Sequence, residues 1–79
     1  MSKKKSIYNQ YIDFLNFIDP FETAEREGVY KSMRHTTILY DLTEMRKDWG
    51  WDVNSEEYKR ATDLIELIEK RVSYDRESN

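Results

Sequence analysis

Helix start and stop signals are the features that most constrain the fold of this 79-residue chain. Residues 19–22 read Asp-Pro-Phe-Glu, with a capping residue, a proline at the first helical position and an acidic residue at the third. Residues 54–57 read Asn-Ser-Glu-Glu, in which Asn54 is the expected cap and Glu57 completes a capping box. Gly50 is the expected residue just beyond a helix end. Together these signals predict an all-α fold.

Apolar periodicity predicts where the helices lie, at about residues 6–18, 20–27, 29–49 and 55–74. The final helix has the most regular pattern, with a core stripe made of Tyr58, Ala61, Ile65, Ile68 and Val72. We therefore expect a small bundle of three to four helices. We also expect a single domain over residues 1–79 with frayed ends at 1–5 and 75–79.

The segment between Pro20 and Trp49 leaves two alternatives open. Gly28 either ends a short helix, whose inward residues would be Phe21 and Ala24, or lies inside a longer one at a cost of about 1 kcal/mol. The apolar face of residues 29–49 changes direction near residues 35–37. Either the helix kinks there, or one straight helix packs against different neighbours along its length.

Composition argues against an enzyme. The chain has no cysteine, one histidine and two glycines, so neither a thiol nucleophile nor a glycine-rich phosphate loop is available. His35 has Thr36 and Thr37 beside it, but adjacent residues on a helix point apart and form no catalytic dyad. We expect no metal and no cofactor. No apolar run reaches the length of a membrane span, and we expect a cytosolic protein that does not bind membranes.

Surplus apolar surface indicates a protein partner. Leu67 and Tyr74 are seven residues apart on the final helix and lie away from its core stripe, among arginines. Aromatic residues, arginines and leucines together are typical of a protein interface. The predicted partner-binding residues are Phe17, Arg60, Leu64, Leu67, Arg71 and Tyr74. We also expect a homodimer, because the first and middle helices have apolar residues on more than one side.

The favoured function is therefore that of a non-enzymatic regulator that binds another protein stoichiometrically. On general grounds, and from no particular residue, we expect an inhibitor or accessory protein of a phage or other mobile element. One alternative is a nucleic-acid-binding regulator that uses the 29–49 helix, with contacts from Lys31, Arg34, His35, Arg46 and Lys47. The net charge of −3 and the acidic residues of the same helix argue against it. A second alternative is a structural, self-assembling subunit.

Overall fold

The computed structural model describes residues 5–77, which form four helices and no strand. These are α1 (Ile7–Ile18), α2 (Pro20–Lys31), α3 (His35–Asp48) and α4 (Glu56–Glu77). The predicted all-α fold class is confirmed. The chain divides into two compact units, Met1–Met33 and Arg34–Asn79, each containing one pair of contacting helices. The single domain over residues 1–79 stays a prediction.

The predicted frayed ends differ in part from the structure. Residues 75–77 belong to α4, which therefore ends three residues later than predicted. Lys5 forms an ion pair with Asp13, and its carbonyl oxygen accepts a hydrogen bond from Gln10 Nε2 at 2.9 Å. Residues 1–4 and 78–79 lie outside the part of the chain that the structure describes.

The first unit is a hairpin of α1 and α2. Ser6 caps α1 by accepting a hydrogen bond from the backbone N–H of Asn9. The apolar face of α1 is buried through Tyr11, Ile12, Phe14 and Leu15. The ring of Tyr11 packs edge-on against Tyr30 of α2, with 5.7 Å between ring centroids.

The start of α2 is confirmed, but its predicted inward face is wrong. Asp19 caps the helix through the backbone N–H of Glu22, and Pro20 is its first residue. Phe21 is 76% exposed and Ala24 is also exposed, whereas Thr23 is buried. Thr23 tolerates burial because its hydroxyl donates to the Asp19 carbonyl oxygen at 2.9 Å, which satisfies its polar group.

The predicted boundaries between residues 27 and 49 are also wrong. Gly28 lies inside α2, which continues to Lys31, and the chain breaks at residues 32–34. The backbone N–H groups of Ser32 and Met33 donate to the carbonyl oxygens of Val29 and Tyr30, respectively, three residues earlier. The Ser32 hydroxyl donates to the same Val29 carbonyl oxygen. These bonds close the last turn of α2. The change in apolar face therefore marks the junction of two separate helices.

The second unit is a hairpin of α3 and α4. Ile38 and Leu42 of α3 are fully buried, and α4 contributes Ala61, Ile65 and Ile68. The guanidinium of Arg46 donates to the Thr62 hydroxyl at 3.0 Å and lies over the ring of Tyr58. The periodic stripe predicted for α4 is therefore confirmed at its centre, while Tyr58 and Val72 are half-buried at its two ends.

The stop after α3 follows the predicted pattern. Gly50 follows the C-cap residue Trp49 and has a φ of 62°, a left-handed conformation that glycine adopts without steric cost. Trp51 turns back, and its ring packs edge-on against that of Trp49, with 5.2 Å between ring centroids.

Candidate functional site

The start of α4 fixes the direction of the helix that carries most of the predicted partner-binding residues. The predicted cap at Asn54 is wrong by one position, because the backbone N–H of Tyr58 donates to Ser55 Oγ at 3.2 Å. Ser55 in turn donates its hydroxyl to the Asp52 carbonyl oxygen at 2.6 Å. Asn54 instead belongs to the preceding turn, where its backbone N–H donates to Asp52 Oδ1 at 2.8 Å.

Four exposed residues form one side of α4, and we call them the α4 surface: Arg60, Leu67, Arg71 and Tyr74. Residues seven apart lie nearly above one another on a helix, so Arg60, Leu67 and Tyr74 follow one line along it. Leu67 is 38% exposed and Tyr74 is 66% exposed. The prediction that these two residues lie off the core face is confirmed.

Both arginines of the α4 surface are held along the helix by carboxylates. Arg60 Nε donates to Glu56 Oε2 at 2.9 Å, and Arg71 Nε approaches Asp75 Oδ1 at 3.3 Å. Each of these side chains is about half exposed. Exposed pairs of this kind stabilise a helix by only a few tenths of a kcal/mol. Little free energy is therefore lost if a partner displaces the carboxylates.

Two predicted partner-binding residues lie outside the α4 surface. Leu64 is only 6% exposed, because it lies at the edge of the stripe that packs against α3, so its prediction as a surface residue is wrong. Phe17 is exposed on α1, in the other unit of the chain. The assignment of Phe17 to a partner surface stays a prediction.

The alternative nucleic-acid residues are distributed over two helices. Lys31 ends α2, where it forms an ion pair with Glu27 at 3.1 Å. Arg34 is the extended residue before α3, and His35 is the first, half-buried residue of that helix. The continuous 29–49 recognition helix that the alternative requires is therefore absent from the structure.

The two remaining basic residues of that alternative lie in the last turn of α3. There, positive charge interacts favourably with the helix dipole. Arg46 is also engaged with Thr62 and Tyr58 of α4, so part of its hydrogen-bonding capacity already serves the packing of α3 on α4. Lys47 is exposed.

A shallow recess beside α4 was not anticipated from the sequence. It has a volume of about 290 Å³ and is lined by Val53, Tyr58, Lys59, Thr62 and Asp63. Val53 and Tyr58 would occupy the apolar staple positions of a helix capped by Asn54, and the cap at Ser55 removes them from these positions. The sequence signal that could have located the recess is the apolar Val53 among the polar residues of the turn before α4.

Neither a metal centre nor a membrane span is found in the part of the chain that the structure describes. Within residues 5–77, no three histidine or acidic side chains come together in an arrangement that could hold a metal ion. None of the helices formed by these residues is both long and apolar enough to cross a bilayer.

Comparison with protein-family models, with curated proteins and with solved structures finds no match to this chain. Its function is therefore inferred from its own surfaces.

Proposed function

We propose that this chain is a non-enzymatic regulator that binds another protein through the α4 surface and acts stoichiometrically, as an inhibitor or accessory protein. The observation that carries the proposal is the pair Leu67 and Tyr74, exposed on the same side of α4 as two arginines, while the opposite side of the helix is well packed. Tyrosine and arginine are enriched among the few residues that supply most of the binding energy in protein interfaces. A cytosolic location and an origin in a phage or mobile element belong to the same proposal.

The α4 surface suits protein binding better than small-molecule binding. It is the outer side of one helix and offers no enclosed volume, whereas ligand sites are usually concave. Its two arginines can form bidentate bonds with carboxylates, and the ring of Tyr74 offers a flat apolar face with a polar tip. A partner with an apolar groove rimmed by acidic residues would match this chemistry.

The test is the double variant Leu67→Ala with Tyr74→Ala, measured for thermal melting and for capture of proteins from a lysate of the source cells. Both side chains are exposed, so we expect the two truncations together to cost at most about 1 kcal/mol, a decrease of about 4–8 °C in melting temperature. Each truncation at an interface should lower affinity about 5- to 100-fold. We therefore expect the double variant to lose capture of any dominant partner.

A matched control comes from the same unit of the chain. Tyr40 on α3 is 65% exposed, close to the exposure of Tyr74, and Val53 is also exposed. The variant Tyr40→Ala with Val53→Ala removes a comparable amount of exposed apolar surface elsewhere, and it should keep the captured partner. Equal capture by the wild-type chain and both variants would contradict the proposed role of the α4 surface.

A further inference from the structure

The charges of the α4 surface complement those of the same surface on a second, antiparallel copy of the helix. Leu67 lies at the middle of α4, with eleven helical residues before it and ten after it. If two α4 helices pack antiparallel about a two-fold axis at Leu67, they overlap along their whole length of about 33 Å. Two residues that face each other across the axis then have residue numbers that add to about 134, which is twice 67.

This register pairs unlike groups near its centre, whereas at the ends of the helices Glu56 faces Glu77 of the second copy. Arg60 faces Tyr74 of the second copy, and a guanidinium over a tyrosine ring is a favourable cation–π contact. Asp63 and Lys70 are both exposed and lie seven residues apart on one flank of the surface. A two-fold axis perpendicular to the helices keeps that flank on the same side in both copies, so Asp63 faces Lys70 of the second copy. Each contact occurs twice in a symmetric dimer.

The parallel arrangement lacks this complementarity. A two-fold axis parallel to the helices places Arg60 against Arg60 of the second copy. It also exchanges the two flanks, which brings Lys70 beside Arg71 of the second copy. Like charges at such contacts oppose association. The charge pattern of α4 therefore favours the antiparallel register.

We propose that the α4 surface binds the same surface of a second copy of this chain, antiparallel, with Leu67 on the two-fold axis. This inference rests on the proposed role of α4 as a protein-binding surface and identifies the occupant of that surface. A foreign protein that binds α4 would then compete with the second copy. Self-association would decrease the fraction of the chain that is available to that protein as the concentration of the chain rises.

The proposal is tested by exchanging the charges on the flank and measuring mass by sedimentation equilibrium. Asp63→Lys gives Lys opposite Lys70, and Lys70→Asp gives Asp opposite Asp63, so each single variant should weaken self-association about tenfold. The double variant restores unlike pairs and should recover the wild-type association, with a mass about twice 9.7 kDa. An equimolar mixture of the two single variants should form a heterodimer.

A control and a second measurement separate this register from general charge effects. Glu69→Lys changes the net charge as Asp63→Lys does, but lies on a different side of α4, so it should leave association unchanged.

The chain has no cysteine, so a spin label can be placed at Glu77→Cys alone. Antiparallel packing about Leu67 separates the two labels by about 30 Å along the helices, whereas parallel packing places them within about 20 Å.

The outcomes distinguish this proposal from the proposed function. A wild-type monomer at several hundred micromolar, single variants that associate like the wild type, a double variant that stays weakened, or labels within about 20 Å would each overturn the antiparallel dimer. If a monomeric chain still captures its partner through Leu67 and Tyr74, the proposed function stands without the dimer. If the charge exchange behaves as expected but no foreign protein is captured, the dimer stands and the regulatory function does not.

Discussion

Replacing Ser55 with alanine should destabilise the α3–α4 unit through the start of α4. The substitution removes the acceptor for the Tyr58 N–H at 3.2 Å and the donor to the Asp52 carbonyl oxygen at 2.6 Å. Loss of an N-cap costs about 1 kcal/mol, and a partly exposed hydrogen bond contributes about 0.5 kcal/mol. The sum of about 1.5 kcal/mol corresponds to a decrease of about 6–12 °C in melting temperature for a chain of this size, measured by circular dichroism at 222 nm.

Two control variants make this prediction specific to the cap. Asn54→Ala should lower the melting temperature by about 2 °C at most, because the bond that Asn54 forms to Asp52 comes from its backbone N–H, which alanine retains. Ser55→Thr keeps a hydroxyl at the same position and should recover most of the stability. If Asn54→Ala costs as much as Ser55→Ala, or if Ser55→Ala leaves the melting curve unchanged, the assignment of the cap to Ser55 is refuted.

The remaining predictions concern the two glycines, whose substitutions to alanine should act in opposite directions. Gly28→Ala should raise the stability by about 0.5–1 kcal/mol in urea unfolding, because Gly28 lies inside α2 and a Cβ there meets no atom within 4 Å. A loss of stability would contradict the continuous α2. Gly50→Ala should lower the stability by about 1 kcal/mol in the same measurement, since its φ of 62° strains any residue with a Cβ. No loss would show that the turn does not need this conformation.

The sequence predicts those elements that short-range chemistry determines. Asp19 and Pro20 start α2, and Gly50 directly follows the C-cap of α3. Both signals can be read from the sequence because capping bonds and the backbone preferences of proline and glycine act within one turn. The cap of α4 shows the limit of such reasoning. Asn54 and Ser55 are both good capping residues, and the preceding turn at Asp52 decides between them. Asp52 accepts hydrogen bonds from the backbone N–H of Asn54 and from the backbone N–H and hydroxyl of Ser55.

The break between α2 and α3 was not predictable in the same way. Residues 32–34 contain neither glycine nor proline, and α3 begins without a side-chain cap. The Ser32 hydroxyl and two backbone bonds close the end of α2, but serine also occurs inside helices. A change in the direction of the apolar face was visible in the sequence. Distinguishing a kink from a complete break requires knowing what each helix packs against.

The predictions for the candidate surface succeeded or failed according to position on the helix. Leu67 and Tyr74 lie far from the centre of the core stripe, so periodicity alone places them outside the core. Leu64 lies between the core stripe and the exposed side. Its burial depends on how α3 approaches α4, which a single helical pattern does not contain. The spacing of seven residues between Asp63 and Lys70 can be read from the sequence. Their use in an interface can be argued only once the structure shows that this side of α4 is exposed.

In the proposed function, α4 has two roles, packing within the fold and binding a partner, and the first prepares the second. The core side of α4 packs against Ile38 and Leu42 of α3, which holds the helix backbone in place before any partner arrives. Glu56 and Asp75 already hold the two arginines along the helix, so part of the ordering cost that normally weakens an interface is met within the folded chain. If the α4 surface binds a partner as proposed, its exposed side chains can be changed to strengthen or abolish association while the core side of the helix stays packed against α3.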